Sequence, residues 1–238
     1  MSHKLSVVIP MYNEAKIVTD TARALTEFLN SKMPQEDYEI VFSDDGSTDN
    51  CAGLVKELAL PNVRVTRYDD NRGKGSAVRE GVLKADGDLI VYTDCDLAFG
   101  LDTIYNVYKA LEKSDAEILI GSRNLSKDGY EGYNALRKLM SKTYIKVIGL
   151  LAGFSYSDSQ CGIKCLRRTA AHRIFSECKI NSFAFDLEML ILADKYKIKV
   201  MEYPVKIINN RNSESKVNPV KDALRMIKDV TRIKKIHK

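Results

Sequence analysis

Two aspartates separated by one residue, Asp94-Cys95-Asp96, follow the apolar run Leu89-Ile90-Val91-Tyr92-Thr93. Carboxylates this close repel one another unless a cation or a shared proton compensates. A hard divalent ion that also touches phosphate oxygens supplies that compensation, because Mg2+ favours one or two carboxylates together with substrate phosphates. An isolated Asp-x-Asp is common. Here it stands where a buried strand is expected to meet solvent, and residues two apart on a strand share a face. Asp94 and Asp96 are therefore the candidate metal ligands.

A second acidic cluster, Asp44-Asp45-Gly46-Ser47-Thr48-Asp49, ends another apolar run. Gly46 permits a tight turn, and Ser47 or Thr48 is a natural N-cap for the helix that should follow. One Asp in such a place suits the base or ribose of a nucleotide, as acids do in other nucleotide sites. A capped surface loop is the plainer alternative. Asn71-Arg72-Gly73-Lys74-Gly75-Ser76-Ala77 brings basic groups and two glycines to the start of a helix, which suits an anion. The Gly-x-x-x-x-Gly-Lys-Ser/Thr spacing of a phosphate-binding P-loop is missing.

The elements that must position these clusters are legible as short β-branched runs alternating with helical patterns. Strands are expected at Leu5–Pro10, Tyr38–Phe42, Val63–Tyr68, Leu89–Tyr92 and Glu117–Ile120, with helices at Ala15–Leu29, Asn50–Leu58 and Gly75–Ala85. That alternation implies βαβ units and a mostly parallel sheet with helices on both faces. Ligands of such sheets bind outside the carboxyl ends of the strands. The acids of this chain gather there. After Gly121 the pattern changes. Tyr133–Gly153 has apolar residues at 136, 140, 144, 147 and 151 and a lysine row at 138, 142 and 146, the mark of an amphipathic helix. Such a helix suits either a lipid interface or a core face. Lys199–Ile208 is expected as a further strand and Pro219–Lys238 as a terminal helix. No repeat or linker interrupts the chain, so the expectation is one domain over 1–217 and a basic helix over 218–238.

The composition, 45% hydrophobic and 29% charged, is that of a globular protein. Its net charge of +5 equals the balance of the segment Lys221–Lys238, where seven Lys/Arg stand against two Asp. A basic tail can meet nucleic acid or an anionic membrane surface, or simply be a solvated face. No nucleic-acid-binding motif accompanies it. The five cysteines, Cys51, Cys95, Cys161, Cys165 and Cys178, are an odd number and lack zinc spacing, which favours reduced thiols and a cytoplasmic protein. The start of the chain lacks the apolar stretch of a signal peptide. The longest apolar run, Val147–Phe154, falls well short of the ~18 residues of a membrane span. Membrane contact is thus expected to be peripheral, on the cytoplasmic face. His172, beside Arg173, is read as structural.

In this order, the motifs resemble the family 2 inverting glycosyltransferases with the GT-A fold. The matching residues are Pro10-Met11-Tyr12-Asn13-Glu14, Asp44-Asp45-Gly46-Ser47-Thr48-Asp49, Arg72-Gly73-Lys74-Gly75 and Asp94-Cys95-Asp96-Leu97. The resemblance continues through Gly121-Ser122-Arg123, Asp158-Ser159-Gln160-Cys161-Gly162-Ile163-Lys164, Phe185-Asp186-Leu187-Glu188 and Arg211-Asn212-Ser213-Glu214-Ser215-Lys216. These later motifs are similar to those of the polyprenyl-phosphate (dolichyl-phosphate) glucosyl- and mannosyl-transferases.

The resemblance implies that Pro10, Tyr12, Glu14 and Asp45 hold the nucleoside of a nucleotide-sugar donor, with Asp44 nearby. Asp94 and Asp96 would hold Mg2+ or Mn2+ and, through it, the diphosphate. Arg123, Arg211 and Lys216 would lie near the donor diphosphate or the acceptor phosphate, and Asp186 would face the sugar. Arg72, Lys74, Asp158, Gln160 and Ser215 complete the candidate binding set. The chain departs from the family in having Cys95 where a small residue such as Ala is usual, a thiol that would be open to oxidation. It also has Ala98-Phe99 where a polar residue is frequent, so no further metal ligand is assigned.

The implied reaction is in-line displacement at the anomeric carbon, from UDP-glucose first and GDP-mannose second, to a polyprenyl phosphate. A phosphate acceptor is ionised and needs no general base. A hydroxyl acceptor would need one, with Asp158 or Asp186 as the candidate. The alternatives are transfer to a glycan hydroxyl in cell-surface polysaccharide synthesis, and an inactive binding protein that keeps the fold.

Overall fold

The computed structural model describes residues 4–129, 149, 152–208 and 219–237, with only the backbone of 219–227. The amphipathic segment expected over Tyr133–Gly153 lies almost wholly outside the described residues. Seven strands form one sheet in the order β3-β2-β1-β4-β6-β5-β7. They are β1 (Leu5–Met11), β2 (Tyr38–Asp44), β3 (Val63–Arg67), β4 (Leu89–Thr93), β5 (Ile118–Ser122), β6 (Ile163–Arg167) and β7 (Val200–Pro204). Every residue of β1, β2, β4 and β5 is buried, whereas the edge strands β3 and β7 are mostly half-buried. Continuous burial is what a sheet covered on both faces demands of its inner strands.

The period of two along each strand divides the core. On one face Leu5, Val7, Ile9, Tyr38, Ile40 and Phe42 pack with helices α1 (Val18–Lys32), α2 (Cys51–Glu57) and α4 (Leu101–Glu112). On the other, Val8, Val41, Ile90 and Tyr92 pack with α3 (Lys74–Lys84), α5 (Arg168–Phe175) and α6 (Phe185–Lys195). A third cluster seats the terminal helix α7 (Pro219–Ile236) on α6, through Val230 and Ile233 against Ile180, Ala184 and Leu187.

The sheet is mostly parallel, as expected, with one exception. β6 runs antiparallel to both β4 and β5, while the pairings β1·β2, β1·β4, β2·β3 and β5·β7 are parallel. β6 was not expected from the sequence, and neither were α4, α5 and α6. The reversed strand has a consequence for the site. The carboxyl ends of the six other strands share one edge with the amino end of β6, so the segment Asp158–Gly162 that leads into β6 arrives there too.

One local expectation is overturned. Ser47 and Thr48 do not cap α2; its N-cap is Asn50, at a φ of 60°, without a side-chain cap bond. Ser47 Oγ instead accepts the Asn13 backbone N–H at 2.9 Å, and Thr48 N–H donates to Asn13 Oδ1 at 2.9 Å. The two strand-end loops thus clasp one another, a tertiary use of residues that read locally as caps.

Candidate active site

The strand order reverses between β1 and β4, and the crevice at such a switch point is where open sheets bind ligands. Asp94 and Asp96 emerge there, but not as extended neighbours. β4 stops at Thr93, and the chain turns through Asp94–Leu97, with Leu97 N–H bonded to Asp94 O at 3.1 Å and Leu97 at a φ of 50°. The two acids therefore stand on a turn and not on a strand face, and both act on the Lys74 ammonium. Asp96 Oδ1 accepts the Ala98 N–H at 3.1 Å. Thr21 on α1 ties the turn down by donating to Cys95 O at 2.7 Å. Cys95 itself is 3% exposed, and burial, with Glu14 and Asp96 nearby, pushes its thiol up to about 12. The oxidisable thiol expected beside the acids is a buried, protonated one. All five cysteines are buried and unpaired.

Space at Asp94 is kept by a glycine. A Cβ on Gly162 would lie 2.7 Å from Asp94 Oδ2. The carboxylate is also paired with the Lys74 ammonium. Lys74 opens α3, and its position is set by its neighbours: Gly73 N–H bonds Asp45 Oδ2 at 2.9 Å and Gly75 N–H bonds Asn181 O at 2.8 Å. Burial disfavours the Lys74 charge, but Asp94, Asp186 and Asp96 outweigh it and raise its affinity for the proton.

Asp186 lies in the first turn of α6, where the helix end favours an anion. Its Oδ1 accepts from Tyr92 OH at 2.7 Å and lies 2.7 Å from the Lys164 ammonium, which also donates to Cys161 O at 2.7 Å. Lys164 is wholly buried. Lys164 was not among the expected site residues. The signal was there: a lysine inside the apolar strand Ile-Lys-Cys-Leu-Arg must have a partner, since a buried charge is tolerated only when paired.

Arg123, just past β5, grips Asp158 with two parallel bonds, Nε to Oδ2 at 2.6 Å and Nη2 to Oδ1 at 2.9 Å. Its backbone N–H adds a third to Oδ2 at 3.1 Å. Asp158 is inaccessible and Arg123 is 16% exposed at its side chain. Gln160 follows, half-buried, on the way into β6.

The two carboxylates expected at the nucleoside are held within the chain. Asp44 pairs with Arg67 at 2.6 Å and accepts the Ser47 N–H at 3.0 Å. Asp45 accepts from Tyr68 OH at 2.5 Å, Asn71 Nδ2 at 2.9 Å and the N–H groups of Arg72 and Gly73. Asp45 therefore shapes the loop carrying Arg72 and Lys74, and Asp44 ties β2 to β3. Arg72 stacks on Tyr68, its guanidinium carbon 4.4 Å from the ring centre. Gly46 is required where it stands: its φ is 71°, and a Cβ would meet Asn71 N at 2.7 Å. Pro10 is buried within β1, one residue before its end, Tyr12 is 46% exposed, and Glu14 is half-buried beside the Asp94–Leu97 turn.

The structure thus brings Tyr12, Glu14, Lys74, Asp94, Asp96, Arg123, Asp158 and Asp186 to one edge of the sheet. Arg211, Ser215 and Lys216 lie outside the described residues. Among those described, no third His, Cys, Asp or Glu joins Asp94 and Asp96 in a metal-holding group. The pair fits an ion completed by phosphate oxygens better than an all-protein cage.

Comparison with known proteins agrees with this geometry. Residues 6–175 match the family model "Glycosyl transferase family 2". The chain is 32% identical to the dolichyl-phosphate beta-glucosyltransferase of Dictyostelium discoideum over 97% of its own length and 73% of that protein. It is 32% identical to the human protein of that name, over 85% of this chain and 66% of the relative. Glycosyltransferase AglD of Haloferax volcanii is 29% identical over 96% of this chain, which spans only 36% of AglD. Among solved structures, mannosyl-3-phosphoglycerate synthase from Rubrobacter xylanophilus superposes with a TM-score of 0.67 at 22% identity, covering 97% of this chain and 72% of that one. Glucosyl-3-phosphoglycerate synthase from Mycobacterium tuberculosis, in complex with Mn2+, UDP and glucosyl-3-phosphoglycerate, gives 0.67 at 15% identity, covering 97% and 78%. At these identities the likeness is one of fold, and the fold is GT-A.

Proposed function

The chain belongs to glycosyltransferase family 2 and is a glycosyltransferase, and from that premise we propose that it moves glucose from UDP-glucose to a polyprenyl phosphate of the dolichyl type. The names of the Dictyostelium and human relatives support the acceptor and the sugar. UDP as the donor nucleotide rests on the sequence resemblance and on the UDP complex of the Mycobacterium synthase, a protein alike in fold.

One observation on this chain favours a phosphate acceptor over a hydroxyl. Transfer to a hydroxyl needs a carboxylate free to take its proton, and both candidates are already paired with cations of this chain. Asp158 is clasped by Arg123 and Asp186 by Lys164. A phosphate monoester is ionised and asks for no base. In this reading Asp94 and Asp96 hold Mg2+ or Mn2+, which when bound neutralises charge on the departing diphosphate. Pro10, Tyr12 and Glu14 receive the nucleoside over a floor stiffened by Asp44 and Asp45. Arg72 and Lys74 lie along the diphosphate. Arg123 and Gln160 face the incoming phosphate, joined by Arg211, Ser215 and Lys216, and Asp186 faces the sugar. Residues 1–217 are the catalytic unit and the basic helix over 218–238 its contact with the cytoplasmic face of a membrane. No helix among the described residues is long and apolar enough to cross one.

The test is incubation with polyprenyl phosphate, Mg2+ or Mn2+, and radiolabelled UDP-glucose or GDP-mannose in parallel, with label counted in the organic phase. Label from UDP-glucose, lost with EDTA and in Asp96→Ala, is the expected result. Label from GDP-mannose alone would change the donor. Donor consumption only when glycans are supplied would move the acceptor to a hydroxyl.

A further inference from the structure

We propose that Lys74 is the resident counter-cation of the Asp94–Asp96 pair, and that a divalent ion must displace its ammonium, so that metal and nucleotide diphosphate enter together. This rests on the reading of that pair as the metal and donor site. The Lys74 ammonium is paired with Asp94, the residue proposed as metal ligand. With the lysine in place the two aspartates and one ammonium leave a single net negative charge. A divalent ion arriving alone meets that ammonium at close range, with two carboxylates as its only described protein ligands. Mg2+ gives up its water reluctantly and is poorly held by so few carboxylates without phosphate. A diphosphate removes both obstacles, since its oxygens complete the ion's shell and offer the ammonium a new anion.

The geometry allows the exchange. The Lys74 backbone is pinned by the bonds from Gly73 to Asp45 and from Gly75 to Asn181, so only the side chain has to move. A lysine is a compact charge on a flexible four-carbon stem. The Phe183 ring, 69% exposed, already lies 5.7 Å from the ammonium and offers it a second resting place. Because coupling between two ligands is reciprocal, the metal must strengthen nucleotide binding by the factor by which nucleotide strengthens metal binding.

The experiment follows free Mn2+ by its electron paramagnetic resonance signal as full-length protein is titrated, with and without UDP. The wild type is expected to bind Mn2+ weakly alone and at least about tenfold more tightly with UDP. Lys74→Met is expected to bind Mn2+ alone about tenfold more tightly than the wild type, with the UDP enhancement correspondingly reduced. Lys74→Arg, which keeps the charge, should retain the coupling. Circular dichroism melts establish that each variant is folded, and Lys74→Gln replaces a methionine variant that is not. A folded Lys74→Met or Lys74→Gln protein with unchanged Mn2+ affinity overturns the proposal while leaving the donor site standing. If instead Asp94→Asn and Asp96→Asn leave Mn2+ and UDP binding unaltered in an otherwise wild-type chain, the donor site itself is misplaced and the proposal falls with it.

Discussion

The Lys164 ammonium lies 2.7 Å from Asp186 Oδ1, and the lysine is wholly shielded from solvent. Two segments far apart in the chain are joined by this pair: the strand entering the sheet backwards and the helix whose first turn faces the site. Removing one member of a buried ion pair leaves an uncompensated charge, at a cost of about 3–5 kcal/mol. Lys164→Met should lower unfolding free energy in urea by that order and depress transfer activity as Asp186 shifts. The double variant Lys164→Met/Asp186→Leu should regain much of the stability and none of the activity.

Arg123 and Asp158 form the second internal pair, with three bonds to one carboxylate. A hydrogen bond to a charged group contributes about 1.5–3 kcal/mol. Asp158→Asn should therefore lower the urea midpoint and reduce transfer without changing the pH dependence of turnover. A basic limb that vanishes in this variant would instead identify Asp158 as a general base.

Acid stability should depend on Glu39, whose side chain is 5% exposed and paired with Arg64 at 2.7 Å. Burial disfavours its charge, but Arg64, the Ser6 hydroxyl and the Asp86 N–H outweigh that and hold it below its ordinary 4.5. A lowered carboxyl pKa stabilises the fold fully above the unfolded value and progressively less as pH falls through the folded one. Melting temperature should drop from about pH 4.5 downward. Glu39→Gln should be less stable at pH 7 and show a shallower loss on acidification.

The thiols should be silent in the native protein. Burial pushes both Cys95 and Cys161 up to about 12, and the thiolate is the reactive form. Ellman's reagent at pH 8 is expected to react slowly, with five thiols released only on unfolding. The same shifts favour the fold below the ordinary thiol value of 9.0 and cost it stability as pH rises beyond.

The terminal helix is a packing element whatever surface it also meets. Val230 and Ile233 cover Ile180, Ala184 and Leu187, and His237 Nε2 lies 2.7 Å from Glu188, which accepts the N–H groups of Lys179 and Ile180. A chain ending at Asn218 should melt at lower temperature and bind a hydrophobic dye. His237→Ala should weaken the same contact by about 1 kcal/mol, read as a shift in urea midpoint.

Much of what marks this chain as a glycosyltransferase is local, and so is legible in the residues. Runs such as Leu5–Met11 and Leu89–Thr93 are apolar on every residue because a covered sheet buries both faces of its inner strands. The acids follow those runs because strand ends are where a parallel sheet opens to ligand. The family resemblance picks out Asp94, Asp96, Arg123, Asp158 and Asp186, and the fold gathers them at one edge of the sheet. Tertiary structure decided who pairs with whom. β6 was not expected from the sequence, and nothing local says that it enters antiparallel, which is what carries Asp158 and Lys164 to the acidic edge. Ser47 has the chemistry of a cap and became a clasp on Asn13, whose N–H follows the neighbouring strand β1 and bonds its hydroxyl oxygen. Asp44 and Asp45 look alike in sequence to Asp94 and Asp96. They differ only because Arg67, Tyr68 and the loop over 71–73 fold against them, and charge pairing is a property of distance that sequence separation does not encode.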